Sequence, residues 1–163
     1  MNNLTDNQSY LSELFNEDQK NIKLFGLNEI SRDEFLKRSL QITENFKLYL
    51  NKNGFPFKNK EPYEVYKAAF VLSLHTNPEF LMVVETIFNN AEEGAVDPEH
   101  RAYFVDKLRL YEGKQQLYGT QFKRLPDKSI EFLPIEEPKN IDVRRKEIGL
   151  STLEEYKKLA EQG

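Results

Sequence analysis

The chain contains two histidines, and only one stands where an imidazole could do chemistry. His75 closes an apolar run and is followed by Thr76-Asn77-Pro78, which places it at a helix C-terminus. There the helix dipole favours an imidazolium, and a nearby acceptor can orient the ring for general acid or base work. The plainer role for such a histidine is a core or capping group bonded to backbone. His100 falls in the first turn of a later helix, where solvent exposure is expected.

A second concentration of polar chemistry lies between Gly113 and Gln121, where Gln115, Gln116, Tyr118, Thr120 and Gln121 are gathered. A side-chain amide both donates and accepts, so Gln116 and Gln121 could bind a ligand amide, a base edge or a carbonyl, with Tyr118 stacking and Thr120 bonding beside them. The same groups could instead satisfy backbone atoms where helix gives way to strand. Strand alternation would put Gln115, Leu117, Gly119 and Gln121 on one face and Gln116, Tyr118 and Thr120 on the other, unless Gly119 is a bulge. Further on, Arg144 and Arg145 are adjacent in a short helix and point about 100° apart, so at most one turns inward. An inward arginine would grip a carboxylate or phosphate, or pair with a buried acid such as Asp106. Asp18 and Gln19 on the first helix are further candidates to face a pocket.

Much familiar chemistry is excluded. The absence of cysteine removes disulfides, thiolate metal sites and thiol catalysis, and two histidines without gathered carboxylates give no metal centre. There is no phosphate loop, dinucleotide fingerprint, His-Glu-x-x-His or nucleophile elbow, and no cofactor is expected. A net charge of -4 repels polyphosphate, so nucleic acid is not an expected partner, even though Lys123-Arg124 and Arg144-Arg145-Lys146 would be the basic stripe to test. The apolar run Ala68 to Leu74 is too short for a membrane, and the first residues lack the order of a signal peptide. A soluble, cytoplasmic protein is expected.

These side chains need a scaffold, and 163 residues with 12 Phe and 8 Tyr suffice for one domain, residues 1–163, with a core of its own. Thr5 with Gln8 and Ser31 with Glu34 have the form of capping boxes opening two long amphipathic helices. Those helices end near Gly26 and at Asn53-Gly54, and the second presents Phe35, Leu36, Leu40, Ile42, Phe46 and Leu50 as its apolar face. Pro62 opens a third helix that is apolar on most sides, Asn77-Pro78 a fourth and Asp97-Pro98 a fifth. β-favouring segments Gln116 to Leu125 and Ser129 to Ile135 flank the turn Pro126-Asp127-Lys128 and predict a hairpin lying on the helical body. Asp142 caps a short helix to Gly149, and Ser151 with Glu154 caps a terminal one. The expected fold is mainly helical α+β: about five helices, a β-hairpin and two short C-terminal helices.

Asp18-Gln19, His75, Asp106, the Gln116-Leu117-Tyr118-Gly119-Thr120-Gln121 block and Asp142-x-Arg144-Arg145-x-x-x-Gly149-Leu150 together resemble a family of small bacterial domains of unknown function. Two departures stand out. Related sequences tend to have an acid two residues after the histidine, where this chain has Asn77, and an arginine after the aspartate, where it has Lys107. The resemblance supplies no chemistry of its own. From the residues, the first expectation is a polar pocket binding a small molecule, with His75 catalytic in a hydrolysis or group transfer on an amide- or phosphate-bearing compound. The second is an interaction module, such as an immunity, effector or regulatory protein, engaging a protein partner through exposed aromatics and the acidic stretches Glu92-Glu93 and Glu136-Glu137.

Overall fold

The computed structural model describes residues 3–162, with side chains from Asn7 onward. Five long helices come first: α1 (Asn3–Gly26), α2 (Arg32–Asn53), α3 (Tyr63–Leu74), α4 (Pro78–Asn89) and α5 (Pro98–Tyr111). A hairpin of β1 (Phe122–Arg124) and β2 (Ile130–Phe132) follows, then a 3-10 turn at Pro138–Asn140 and the short helices α6 (Ile141–Glu147) and α7 (Leu153–Gln162). The fold is mainly helical with a small β part, as the periodicity predicts. Two compact units divide the chain, with the boundary inside α4: residues up to Phe80 with Glu92–Ala95, and Leu81–Ala91 with Val96 onward.

In the first unit α1 packs on both α2 and α3. Its inward stripe is Leu11, Leu14, Asp18 and Asn21, all buried at helical spacing, so two polar side chains ride on the apolar seam. Beyond Gly26, Asn28 takes a left-handed conformation with φ 58, and Glu29 N–H returns to Leu24 O, which ends the helix. Ser31 caps α2 by accepting from Glu34 N at 3.2 Å, as its sequence predicts. Phe46 and Leu50 are buried on that helix, but Leu36 and Leu40 face solvent, so its apolar face is narrower than its sequence suggests. Helix α3 is buried around most of its circumference through Val65, Tyr66, Ala69, Phe70 and Leu72. Each such large side chain contributes about 1.5–3 kcal/mol by leaving water.

In the second unit Phe88 and Phe104 meet at 4.9 Å between ring centres. The hairpin pairs Phe122 with Phe132 and Lys123 with Glu131, and both phenylalanines close on Tyr156 of α7 at 6.4 and 6.2 Å. Arg124 donates to Ala160 O and Ile130 N–H to Glu161, so the far end of α7 also holds the hairpin. An isolated hairpin would be marginal, and α7 is the helical surface it uses.

Several boundaries differ from their sequence-based placement, each for a local reason. The backbone at Thr5 is already helical, so the expected start there falls inside α1, and the Thr5 side chain lies outside those described. At the other end, α7 is capped by Thr152 and Glu155 rather than Ser151 and Glu154: Glu155 N–H bonds Thr152 Oγ1, and Thr152 N–H bonds the Glu155 carboxylate. Asp142 lies within the first turn of α6 and accepts from Leu153 N at 2.7 Å, so it serves the start of α7 and not its own helix. The strands are three residues each instead of the predicted ten and seven, because residues 116–121 spend their amides elsewhere.

Candidate functional site

The first unit brings three of the expected residues together. His75 terminates α3, and its Nδ1 lies 2.8 Å from Oδ2 of Asp18. The same oxygen accepts from Gln19 Nε2 at 2.9 Å. A carboxylate accepts and does not donate, so Nδ1 carries the proton of this bond and Nε2 is left with the lone pair of the neutral ring. The Asp18 side chain is 6 % exposed and that of His75 36 %, so the anchor is buried while the imidazole reaches solvent. Nε2 has no hydrogen-bond partner among the described residues.

Asn77, two residues after the histidine, has a capping role. Its Oδ1 accepts from Phe80 N at 2.9 Å and caps α4. The acid that orients His75 comes instead from α1, 57 residues away in sequence. Three residues beyond Asp18, Asn21 gives its amide hydrogens to Phe35 O and Ser39 Oγ, while its Oδ1 is the sole buried side-chain polar atom without a partner among the described residues. Asn21 lines a cleft of about 310 Å³ with Glu17, Lys20 and Arg38, to which His75 does not contribute.

The second unit assembles the remaining candidates around Asp106, which is fully buried on α5. Its Oδ1 accepts from Leu117 N at 2.7 Å and Tyr118 N at 3.0 Å, and its Oδ2 from Thr120 N at 2.9 Å and Thr120 Oγ1 at 3.0 Å. One carboxylate thus satisfies three amides within four loop residues and a hydroxyl, which is why the segment is a loop wound about an anion and not a strand. Gln116 is also fully buried. Its Nε2 donates to Gln121 O and Leu133 O, and its Oε1 accepts from Gln121 N, so the amide acts as a short length of artificial strand. No polar atom of that side chain is left for a ligand.

The arginines hold carbonyls of the same loop. Arg144 Nε donates to Leu117 O at 2.9 Å and its other arm to Glu136 O. Arg145, the inward one of the pair, donates to Tyr118 O at 2.5 Å and Ser151 O at 2.6 Å and lies 5.0 Å over the Tyr156 ring. Burial pulls its guanidinium below the usual arginine range. Neither guanidinium pairs with Asp106, because the loop backbone separates the charges into a donor set and an acceptor set. Tyr156 donates to Thr120 O and bonds the hydroxyl of Tyr103, and burial raises the pKa of both phenols. At the loop's tightest point Gly119 has φ +66, a conformation that favours glycine, and a Cβ there would stand 2.7 Å from Leu153 Cδ1, whose side chain would have to shift.

What remains open in this loop is small: the Oε1 of Gln121, whose Nε2 bonds Thr120 Oγ1, and the hydroxyl of Tyr118, neither with a partner among the described residues. Sequence reasoning names Asp18 and His75 separately but not as a pair, and it does not place Asp106 at the centre of a loop. Each had a signal. Asp18 lies on the stripe of Leu11 and Leu14, and Asp106 lies four residues from buried Ala102, so both are carboxylates on helix faces that must be buried.

Among the described residues no three His, Asp or Glu side chains gather as a metal site, and no helix is long and apolar enough to cross a membrane. No curated protein and no solved structure matches the chain. A family described as Family of unknown function (DUF6624) matches residues 66–163, which include His75, Asp106, the loop from Gln116 to Gln121 and both arginines. The chain therefore belongs to this family of unknown function.

Proposed function

We propose that this protein is an enzyme acting on a small amide- or phosphate-bearing molecule, by hydrolysis or group transfer, with His75 as its general base or acid. The observation that carries the reading is the 2.8 Å bond between His75 Nδ1 and a buried Asp18, on an imidazole that still reaches solvent. A carboxylate on Nδ1 fixes the tautomer and ring orientation and stabilises the imidazolium that forms when Nε2 takes a proton. Nε2 would remove that proton from a water or hydroxyl nucleophile and return it to the leaving group. Gln19 steadies the same carboxylate from beside it, and its amide oxygen is available to a substrate donor.

In the acidic stretches of the alternative reading, an interaction module, Glu92 pairs with Lys60 and Glu136 with Arg109, while Glu93 and Glu137 are exposed.

A thermal-shift screen of amides, sugar phosphates and nucleotides should find compounds that raise the melting temperature, and chromogenic analogues of the hits should be turned over. His75→Gln should lose activity by about 100-fold or more, and Asp18→Asn by about 10-fold or more, with folding retained. A screen without hits, or full activity in His75→Gln, would sink the proposal.

A further inference from the structure

The second unit has a groove of its own, about 400 Å³, which is within the usual size range of small-molecule sites. Its apolar wall is formed by Ala102, Val105 and Ile148, and its polar groups are Asn89, Arg101 and Tyr118. Arg101 is the only charged residue among the described residues that line it, and the guanidinium makes no hydrogen bond or ion pair with any of them. The Tyr118 hydroxyl and the Asn89 amide are likewise without partners among the described residues.

The Asp106 knot gives this groove its rigidity. Tyr118 is gripped by its N–H, which donates to Asp106 at 3.0 Å, and by its carbonyl, which accepts from Arg145 at 2.5 Å. Every bond falls on the main chain, so the ring is left as a groove wall on an immobilised backbone. A fixed aromatic wall lowers the ordering cost of binding a flat ligand. We infer that this groove binds a small aromatic carboxylate, its ring against Tyr118 and the apolar wall and its carboxylate on Arg101.

Charge selects the ligand class. One guanidinium neutralises one carboxylate in a bidentate pair, whereas a phosphate dianion would leave a second charge uncompensated beside apolar walls. The inference does not need His75, which belongs to the other unit.

Ligand-observed NMR titration of the full chain with benzoate, 4-hydroxybenzoate and indole-3-acetate, beside indole-3-acetamide, tests it. At least one carboxylate should bind, and indole-3-acetate should bind about 10-fold more tightly than its amide, the size expected of one charge-assisted pair. Arg101→Met should remove that preference and Arg101→Lys should keep part of it; neither breaks a side-chain bond of the fold. Tyr118→Ala should weaken acid and amide alike, and His75→Gln should bind as wild type does. Failure of all three carboxylates to bind, equal affinity for acid and amide, or an unchanged preference in Arg101→Met would overturn the inference.

Discussion

Asp106 and Asp18 are both buried carboxylates on helix faces, and they show two different uses of the same group. Asp106 is surrounded by donors of the main chain and one hydroxyl, all of which end at the carboxylate. Asp18 meets a glutamine amide and an imidazole, and the imidazole has a second nitrogen. A carboxylate saturated by amides shapes a loop; one that anchors a histidine passes its influence on to whatever touches Nε2. The first is therefore expected to show its worth in stability and the second in rate.

The largest effect follows from removing Asp106. Asp106→Ala leaves the amides of Leu117, Tyr118 and Thr120 without acceptors in a dry site, at a cost of about 4 kcal/mol or more. That is a large share of the roughly 5–15 kcal/mol that holds a domain together, so the variant should be largely unfolded or lack amide protection at those three positions. Asp18→Asn keeps size and an acceptor oxygen and should cost about 1 kcal/mol or less. Urea melts of both variants decide the matter, and similar losses in the two would erase the distinction drawn between them.

Gln116 sharpens the comparison by removing shape from the question. Gln116→Leu keeps most of the volume but strands Gln121 N–H, Gln121 O and Leu133 O, for a loss of about 3 kcal/mol. A loss under about 1 kcal/mol would mean that water replaces the amide, leaving the loop less closed than its geometry implies.

How much of this was legible in the sequence differs between the two regions. Helix order, the Ser31 and Asn77 caps and the hairpin turn follow from short-range patterns, because caps and turns are made by residues a few positions apart. His75 could be singled out for its place at a helix end, but its partner lies 57 residues away, and no local pattern encodes that distance. The Gln116–Gln121 segment read as strand because its composition suits one. Asp106 overrides that preference by collecting its amides from a position 11 to 14 residues earlier. Gln116, Arg144 and Arg145 looked like ligand-binding groups for a sound reason: the donors that would grip a ligand are the same ones that grip a carbonyl.

Alkaline pH probes the knot without altering it. Burial raises the pKa of Tyr156, and the bond to Tyr103 raises it further; burial raises Tyr103 as well. The folded state thus holds both phenols neutral. Their contribution is intact below the ordinary tyrosine value of about 10 and is lost as pH climbs past it, because the unfolded chain ionises first. Burial lowers the pKa of Lys107, which works in the opposite direction: the folded lysine sheds its proton first, so stability rises with pH up to the ordinary lysine value of about 10.4. Tyr49 in the first unit is raised by burial and then by Glu61, so Tyr156→Phe is needed to isolate the share of the knot. Its urea midpoint should fall less between pH 8 and pH 11 than that of wild type. An identical fall would place the alkaline sensitivity outside the knot.

A small effect is expected at the start of α7, the helix that carries Tyr156 to the knot. Thr152→Ala removes the hydroxyl that bonds Glu155 N–H and leaves the Glu155 carboxylate one partner short, but both groups are exposed and water replaces what is lost. A cap of this kind is worth about 1 kcal/mol. Tyr156 closes that first turn through its N–H bond to Thr152 O, but its buried ring and its own bond to Thr120 O hold it, so fraying at the cap should leave the amides of Leu117 to Thr120 as protected as in wild type. If Thr152→Ala exposes those amides to exchange, the loop is held by the docking of α7 more than by Asp106, and the carboxylate has been credited with work the helix does.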